Sequence, residues 1–189
     1  MTEGVFRYSQ AGDVPALKAL WHIVFGDDLR YLDGFYRILY MPERCGLVEV
    51  DGEIISAAYL IPGARYNDKS FAYLFAVATY EKFRGRGYAA LIAKRLCDDA
   101  FSSGTSGIAP PPATPELISY YKRSLGMSEG FKKKGEKNEP HVSFENDWKL
   151  FSDFHGKERG HGPARLLLLM NDGSDTEKYG SVVWPHVFE

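Results

Sequence analysis

The residues best suited to chemistry are a short run of small and cationic ones, Arg84-Gly85-Arg86-Gly87-Tyr88-Ala89-Ala90, set between two apolar segments. Before it, Phe71, Tyr73, Leu74, Phe75 and Val77 form an apolar, β-leaning stretch that reads as a buried strand. After it, Ala89, Ile92, Leu96 and Ala100 recur on one helical face, with Lys94, Arg95, Asp98 and Asp99 off it. The first N–H groups of a helix lack an internal acceptor and carry the positive end of the dipole, so they suit an anion. Gly85 and Gly87 let the backbone approach a bulky ligand, and Arg84 and Arg86 add full charge. Strand, glycine turn and helix together predict a diphosphate cradle.

Two common phosphate loops are excluded. No Gly-x4-Gly-Lys-Ser/Thr run is present, and the would-be dinucleotide fingerprint Gly85-Arg86-Gly87-Tyr88-Ala89-Ala90 ends in alanine. What fits is Arg84-x-x-Gly87-x-Ala89, after a strand and opening a helix, in the string AVATYEKFRGRGYAALIAKRL. This resembles the acetyl-CoA signature, Q/R-x-x-G-x-G/A, of the Gcn5-related N-acetyltransferase (GNAT) superfamily, and the resemblance runs from Val5 to about Lys134. It implies an α/β (α+β) fold: a mixed, mostly antiparallel central sheet of six to seven strands, splayed at its centre and flanked by about four helices. It implies acetyl-CoA as acyl donor, with no metal. The pyrophosphate would rest on the N–H groups of Gly85, Arg86, Gly87, Tyr88, Ala89 and Ala90, beside Arg84. The pantetheine arm would pair like an added strand with the backbone of Val77, Ala78 and Thr79. The implied reaction is direct transfer of the acetyl group to a primary amine, of a small molecule or a protein, in a ternary complex.

Such a transfer needs donors that polarise the thioester carbonyl, a neutral acceptor amine and an acid for the leaving thiolate. In the family that acid is usually a tyrosine four residues before Gly-Phe or Gly-Met. Here Tyr121 stands five residues before Gly126-Met127 and is taken as the acid, with Tyr120 competing for the place. The base is left open among Glu49, Glu53, Glu81 and a water relay. The strings WHIVFGDD, AVATYEKFRGRG and PATPELISYY are also similar to bacterial acetyltransferases of the enhanced-intracellular-survival type. Two other readings use the same residues: a degenerate acyl-CoA-binding sensor or interaction module of this fold, and an unrelated nucleotide-phosphate binder.

The elements that must position these residues are legible in order. Val5 to Tyr8 reads as a first strand, and Asp13 as the cap of a helix carrying Leu17, Leu20, Trp21 and Val24. Gly26 stops that helix, and Asp27 or Asp28 caps a second, Leu29 to Tyr40, rich in aromatics that either pack in the core or line an acceptor pocket. Asp51-Gly52 joins two β-prone flanks as a hairpin; Pro62 and Asn67-Asp68 mark the next reversal. A minimal strand, Gly107 to Ala109, runs into Pro110, Pro111 and Pro112, which cannot pair as a central strand. Thr114-Pro115 opens the helix of Tyr120 and Tyr121, and Gly126 closes it. Further strands are expected at His141 to Phe144, Ala164 to Met170 and Ser181 to Trp184, with a Gly- and His-rich loop from Ser152 to Pro163. His155 and His161 in that loop are expected to face solvent, and the basic stretch Phe131 to Lys137 to be a solvated edge.

At 189 residues and 44% hydrophobic the chain can build a proper core, expected as a catalytic domain over 1–134 with 135–189 completing or extending it. A formal net charge of −2 gives no electrostatic case for nucleic acid or an anionic membrane. Cys45 and Cys97 form no disulfide or ligand pattern, and MTEGVFRYSQ lacks the features of a signal peptide. The apolar run Leu166 to Met170 is far too short for a span. The expectation is a cytoplasmic monomer or homodimer.

Overall fold

Tight turns rich in Asp, Asn and Gly separate the β-prone segments into β1 (Val5–Tyr8), β2 (Cys45–Val50), β3 (Glu53–Tyr66) and β4 (Lys69–Thr79). The computed structural model describes residues 4–110, 114–132, 138–155 and 165–184. Asp51 and Gly52 both take positive φ, 50° and 80°, as a type I′ hairpin requires. The next reversal falls at Asn67-Asp68 alone, because β3 runs on through Pro62. A proline lacks only the N–H, and the carbonyl of Pro62 accepts from Trp148 Nε1.

The chain divides into two compact units, each discontinuous in sequence. The first, Met1–Ile61 with Leu74–Asp99, holds strands in the order β1-β2-β3-β4, with β1–β2 and β2–β3 antiparallel. It carries α1 (Val14–Phe25), α2 (Leu29–Ile38) and most of α3 (Tyr88–Ser102). Trp21 is its anchor, with ring centroids 4.7 Å from Phe35, 5.2 Å from Tyr59 and 5.5 Å from Phe75. Of the α2 aromatics, Phe35 is fully buried while Tyr31 and Tyr36 are half-buried, as is Tyr40, which lies past the end of the helix at Ile38 and not inside it as expected. The hydroxyl of Tyr36 hydrogen-bonds that of Tyr59. Gly26 ends α1 in the left-handed region, and Asp28 caps α2 by accepting from Tyr31 N–H at 2.8 Å. Asp13 occupies the cap position of α1 but makes no side-chain bond to the helix. Its carboxylate is held by Arg7 at 2.7 and 3.0 Å and by Gln10 N–H at 2.7 Å, since a two-pronged guanidinium outcompetes a neutral amide.

The second unit, Pro62–Tyr73 with Ala100–Glu189, holds the far ends of β3 and β4 with β5 (Gly107–Ala109), β6 (Ser128–Lys132), β7 (Ser143–Phe144) and β8 (Arg165–Met170). Its order is β3-β4-β5-β8-β6, with β7 paired to β3. β5 runs parallel to β4, and β8 is antiparallel to both β5 and β6. Two helices complete it, α4 (Pro115–Leu125) and α5 (Asn146–His155). Tyr73 lies 5.6 Å from Trp148 and stacks on Trp184, the heart of an aromatic core that includes Phe131 and Phe144.

This half departs most from expectation. The strand expected from His141 to Phe144 is only Ser143–Phe144, and Ser181 to Trp184 makes single bridges through Val183 to Lys132 and His141. α5 enters a stretch read as loop, because Trp148 and Phe151 are drawn almost wholly inside, at 1% and 0% exposure. His155 ends that helix, while His161 lies outside the described residues. The basic stretch from Phe131 opens inside the core rather than at a solvated edge: Phe131 is 0% exposed, and Lys132 pairs with Glu139 at 2.8 Å. Residues 133–137 lie outside the described residues. Eight strands and five α-helices are present among the described residues, against six to seven and about four expected. No described helix is long and apolar enough to cross a membrane.

Candidate active site

The site grows from the end of β4. Strand geometry breaks at Ala76, whose φ of 45° puts a non-glycine residue in the left-handed region in mid-strand. Such a conformation costs an L-residue roughly 1–2 kcal/mol and marks a place that the surroundings over-determine. Beyond it, β4 is pinned on its inner side. Tyr80 N–H donates to Ile55 O at 3.0 Å, and Ser56 Oγ, fully buried, donates to Ala78 O at 2.8 Å and lies 2.8 Å from Thr79 Oγ1. On the other side, the ladder of β4 with β5 covers only Phe71, Ala72 and Tyr73. Val77 and Thr79 are half-buried and Ala78 is buried.

A 3-10 turn, Glu81–Phe83, leads into the glycine turn. Gly85 and Gly87 have φ of 76° and 82°, and nothing lies within 4 Å of where a Cβ would stand on either. Their glycine identity therefore answers to backbone angle and not to crowding. Gly87 O accepts the N–H of Leu91 at 2.9 Å, so the N–H groups of Tyr88, Ala89 and Ala90 form the first turn of α3 without an intrahelical acceptor. A glycine at the cap position brings no side chain to cover them. Tyr88 does not cover them either, because its ring lies over Gly4: a methyl group there would sit 2.7 Å from it. Gly85, Arg86 and Gly87 are exposed, and Tyr88, Ala89 and Ala90 half-exposed. The result is an accessible row of donors at the positive end of a helix.

The cations around this row differ in what they do. Arg84 Nε donates to Thr79 O at 3.2 Å. Arg86 donates to Lys82 O at 3.2 Å, and its guanidinium lies 5.3 Å from the Phe83 ring, which Lys82 Nζ also approaches, at 4.8 Å. Two of the base candidates are already paired, Glu49 with Arg7 at 2.9 Å and Glu53 with Lys82 at 3.2 Å. Both border a groove of about 430 Å³ that Arg7, Asp13 and Tyr80 also line.

Val77 to Thr79 and Arg84 to Ala90 are thus brought together in the first unit, whereas Tyr121 belongs to the second. It lies buried on α4, with Tyr120 half-buried beside it at 5.5 Å between rings. α4 is a regular helix closed by Gly126 in the left-handed region, whose N–H reaches Lys122 O and Tyr121 O. Among the described residues no group of three or more His, Cys, Asp or Glu is placed to hold a metal ion. Sequence reasoning missed Ala76, for which no residue-type signal exists, and Ser56, whose signal was a lone serine inside the otherwise hydrophobic run Ile54 to Ile61.

A model of the acetyltransferase (GNAT) family matches residues 15–127, more than half of the chain. No curated protein matches it. Solved structures similar to it include a GNAT family N-acetyltransferase (YhbS) from Escherichia coli in complex with CoA, at 15% identity and TM-score 0.64, covering 98% of this chain and 91% of that one. An alanine N-acetyltransferase acting on a ribosomal protein, also from Escherichia coli, aligns at 16% identity and TM-score 0.60 over 89% of this chain and 94% of that one. The N-acetylglutamate synthase from Neisseria gonorrhoeae, complexed with coenzyme A and N-acetyl-glutamate, aligns at 16% and 0.57, over 90% of this chain and 35% of that one. At these identities the likeness is one of fold.

Proposed function

The chain belongs to the acetyltransferase (GNAT) family, and on that premise we propose that it transfers the acetyl group of acetyl-CoA to a primary amine, directly and within a ternary complex. One observation carries the reading: the bare first turn of α3 follows two left-handed glycines and a β4 end that contains the left-handed Ala76. The diphosphate of the donor is assigned to the N–H groups from Gly85 to Ala90, and its pantetheine arm to the β4 edge at Val77 to Thr79. Backbone donors beside Ala76 would polarise the thioester carbonyl, in the manner of an oxyanion hole. The acceptor must shed its proton, since an ordinary lysine-type amine has a pKa of ~10.4. Tyr121 is assigned as the acid for the departing thiolate. The finer likeness to the enhanced-intracellular-survival type rests on the strings WHIVFGDD, AVATYEKFRGRG and PATPELISYY and is part of this proposal.

A second reading, an acyl-CoA-binding module without turnover, is favoured by the burial of Tyr121, which is 5% exposed as a packing tyrosine would be. Thermal unfolding with acetyl-CoA, CoA, ATP and NAD in parallel separates the readings. A ligand at ~100 times its Kd stabilises the folded state by ~2.7 kcal/mol, a shift of several degrees. Stabilisation by acetyl-CoA and CoA, followed by thiol release with an amine, is the expected result. Stabilisation without release leaves the binding module. A shift with ATP or NAD alone would discard both.

A further inference from the structure

Arg84 bears a full charge beside the glycine turn, but its side chain reaches back along the chain to Thr79 O. The side of β4 on which it does so can be read from the neighbouring bonds. Tyr80 N–H goes to Ile55 O, and Ala78 O receives Ser56 Oγ, so residues 78 and 80 turn their backbone groups toward β3. Strand alternation turns the groups of Val77 and Thr79 the opposite way. The carbonyl that Arg84 occupies therefore belongs to the outward row of β4, the row that an extended ligand would pair with. From the inner side the same residue is held by Ser56, whose Oγ lies 2.8 Å from Thr79 Oγ1.

We infer that Arg84 is a positioning residue: its Nε–H closes the outward row of β4 at Thr79 and ties the glycine turn to the end of the strand. The inference rests on the acetyl-CoA reading. With Thr79 O taken, an arm lying along β4 finds its acceptor at Val77 O and its donors at the N–H groups of Val77 and Thr79, one register only. The same tie sets how far the α3 N-terminus stands from that register, so the arm and the diphosphate are received together. What Arg84 contributes is then a donor at one bond position, not its charge.

Side-chain chemistry separates the two roles. In glutamine the amide nitrogen stands on Cδ, where arginine carries Nε. In lysine a methylene takes that place and the charge lies one atom further on. Arg84→Gln keeps the donor and deletes the charge, Arg84→Lys keeps the charge and displaces the donor, and Arg84→Met keeps neither. CoA affinity is measured by calorimetry at one ionic strength. Amide hydrogen exchange at Phe83 and Arg84 is measured on the ligand-free protein, because these N–H groups bond Tyr80 O and Glu81 O and report how firmly the turn is held.

The expected result is that Arg84→Gln stays within about threefold of the parent Kd while Arg84→Lys and Arg84→Met weaken binding about tenfold, the scale of one lost hydrogen bond. Exchange should quicken in the lysine and methionine variants and not in the glutamine one. Retained affinity in Arg84→Lys with loss in Arg84→Gln would overturn the inference in favour of charge. Three variants that all match the parent, or all weaken alike, would overturn it too. If the parent protein binds no CoA, the acetyl-CoA reading falls by itself. The exchange order then decides the tie alone: faster exchange in the lysine and methionine variants upholds it, and equal rates remove it.

Discussion

Tyr121 carries its phenol on a buried helix face, where a packing role and an acid's role make different demands on the hydroxyl. The residue is 5% exposed, on a helix whose cap glycine bonds its own carbonyl. Removing the oxygen alone is therefore the informative change, since phenylalanine fills nearly the same volume. Tyr121→Phe is expected to lower kcat with an amine acceptor by as much as ~10²–10⁴-fold, the usual worth of a positioned acid, while the Kd for CoA holds. An unchanged kcat would return the residue to the core. At this scale the sequence was most legible where one residue type admits one conformation. Gly85 and Gly87 were singled out as glycines and both take φ that only glycine tolerates well. Arg84 and Asp13 were legible as charges but not as to partner, because a long or two-pronged side chain chooses among groups that only the fold brings near.

β4 joins a regular strand to a distorted one, and its left-handed residue sets up an unusual pair of mutational signs. In an ordinary strand glycine weakens the element by roughly 0.5–1 kcal/mol and valine suits it. At Ala76, with φ 45°, the order reverses. Ala76→Gly relieves ~1–2 kcal/mol of left-handed strain and gives part of it back as unfolded-chain entropy, for a net gain of up to ~1 kcal/mol. Ala76→Val puts a β-branched residue in that region and is expected to lose more than ~1 kcal/mol. Urea midpoints of the two variants check this; a less stable glycine variant would mean that the left-handed conformation at Ala76 is not fixed by its neighbours. Elements punctuated by local chemistry were legible: the Asp51-Gly52 hairpin, α4 between Thr114-Pro115 and Gly126, and α3 after its glycines. Those decided by distant packing were not. α5 owes its burial to Trp148 and Phe151 meeting an aromatic core built from β4 and the C-terminal stretch. β3 passes Pro62 because that residue's carbonyl finds an indole donor 86 positions away.

The titration of the whole molecule couples its stability to the chemistry proposed for it. Cys45 and Cys97 are 0% and 2% exposed, and burial pushes each thiol up to about 12. Burial likewise raises the phenols of Tyr59 and Tyr36. On the acid side Arg7 holds the Asp13 carboxyl below its ordinary range. The signs follow from which state binds more protons. For Asp13, with its folded pKa depressed, the stabilising contribution is present above ~3.9 and fades as pH falls through the lower folded value. For the thiols the folded state keeps protons that the unfolded chain releases above ~8.5, so stability falls as pH rises, by up to ~1.4 kcal/mol per unit for each thiol until about 12. Urea midpoints should therefore hold near neutrality and drop between pH 8.5 and 10, with Cys45→Ala and Cys97→Ala each flattening the slope. A thiol reagent at pH 8 should find neither cysteine in the folded protein and both on unfolding. Over the same interval an acceptor amine of pKa ~10.4 gains its neutral form, so turnover rises while the fold weakens and the two oppose each other above pH 8.5. A midpoint flat to pH 10 would mean that the thiols ionise in place, and the activity profile would then follow the amine alone.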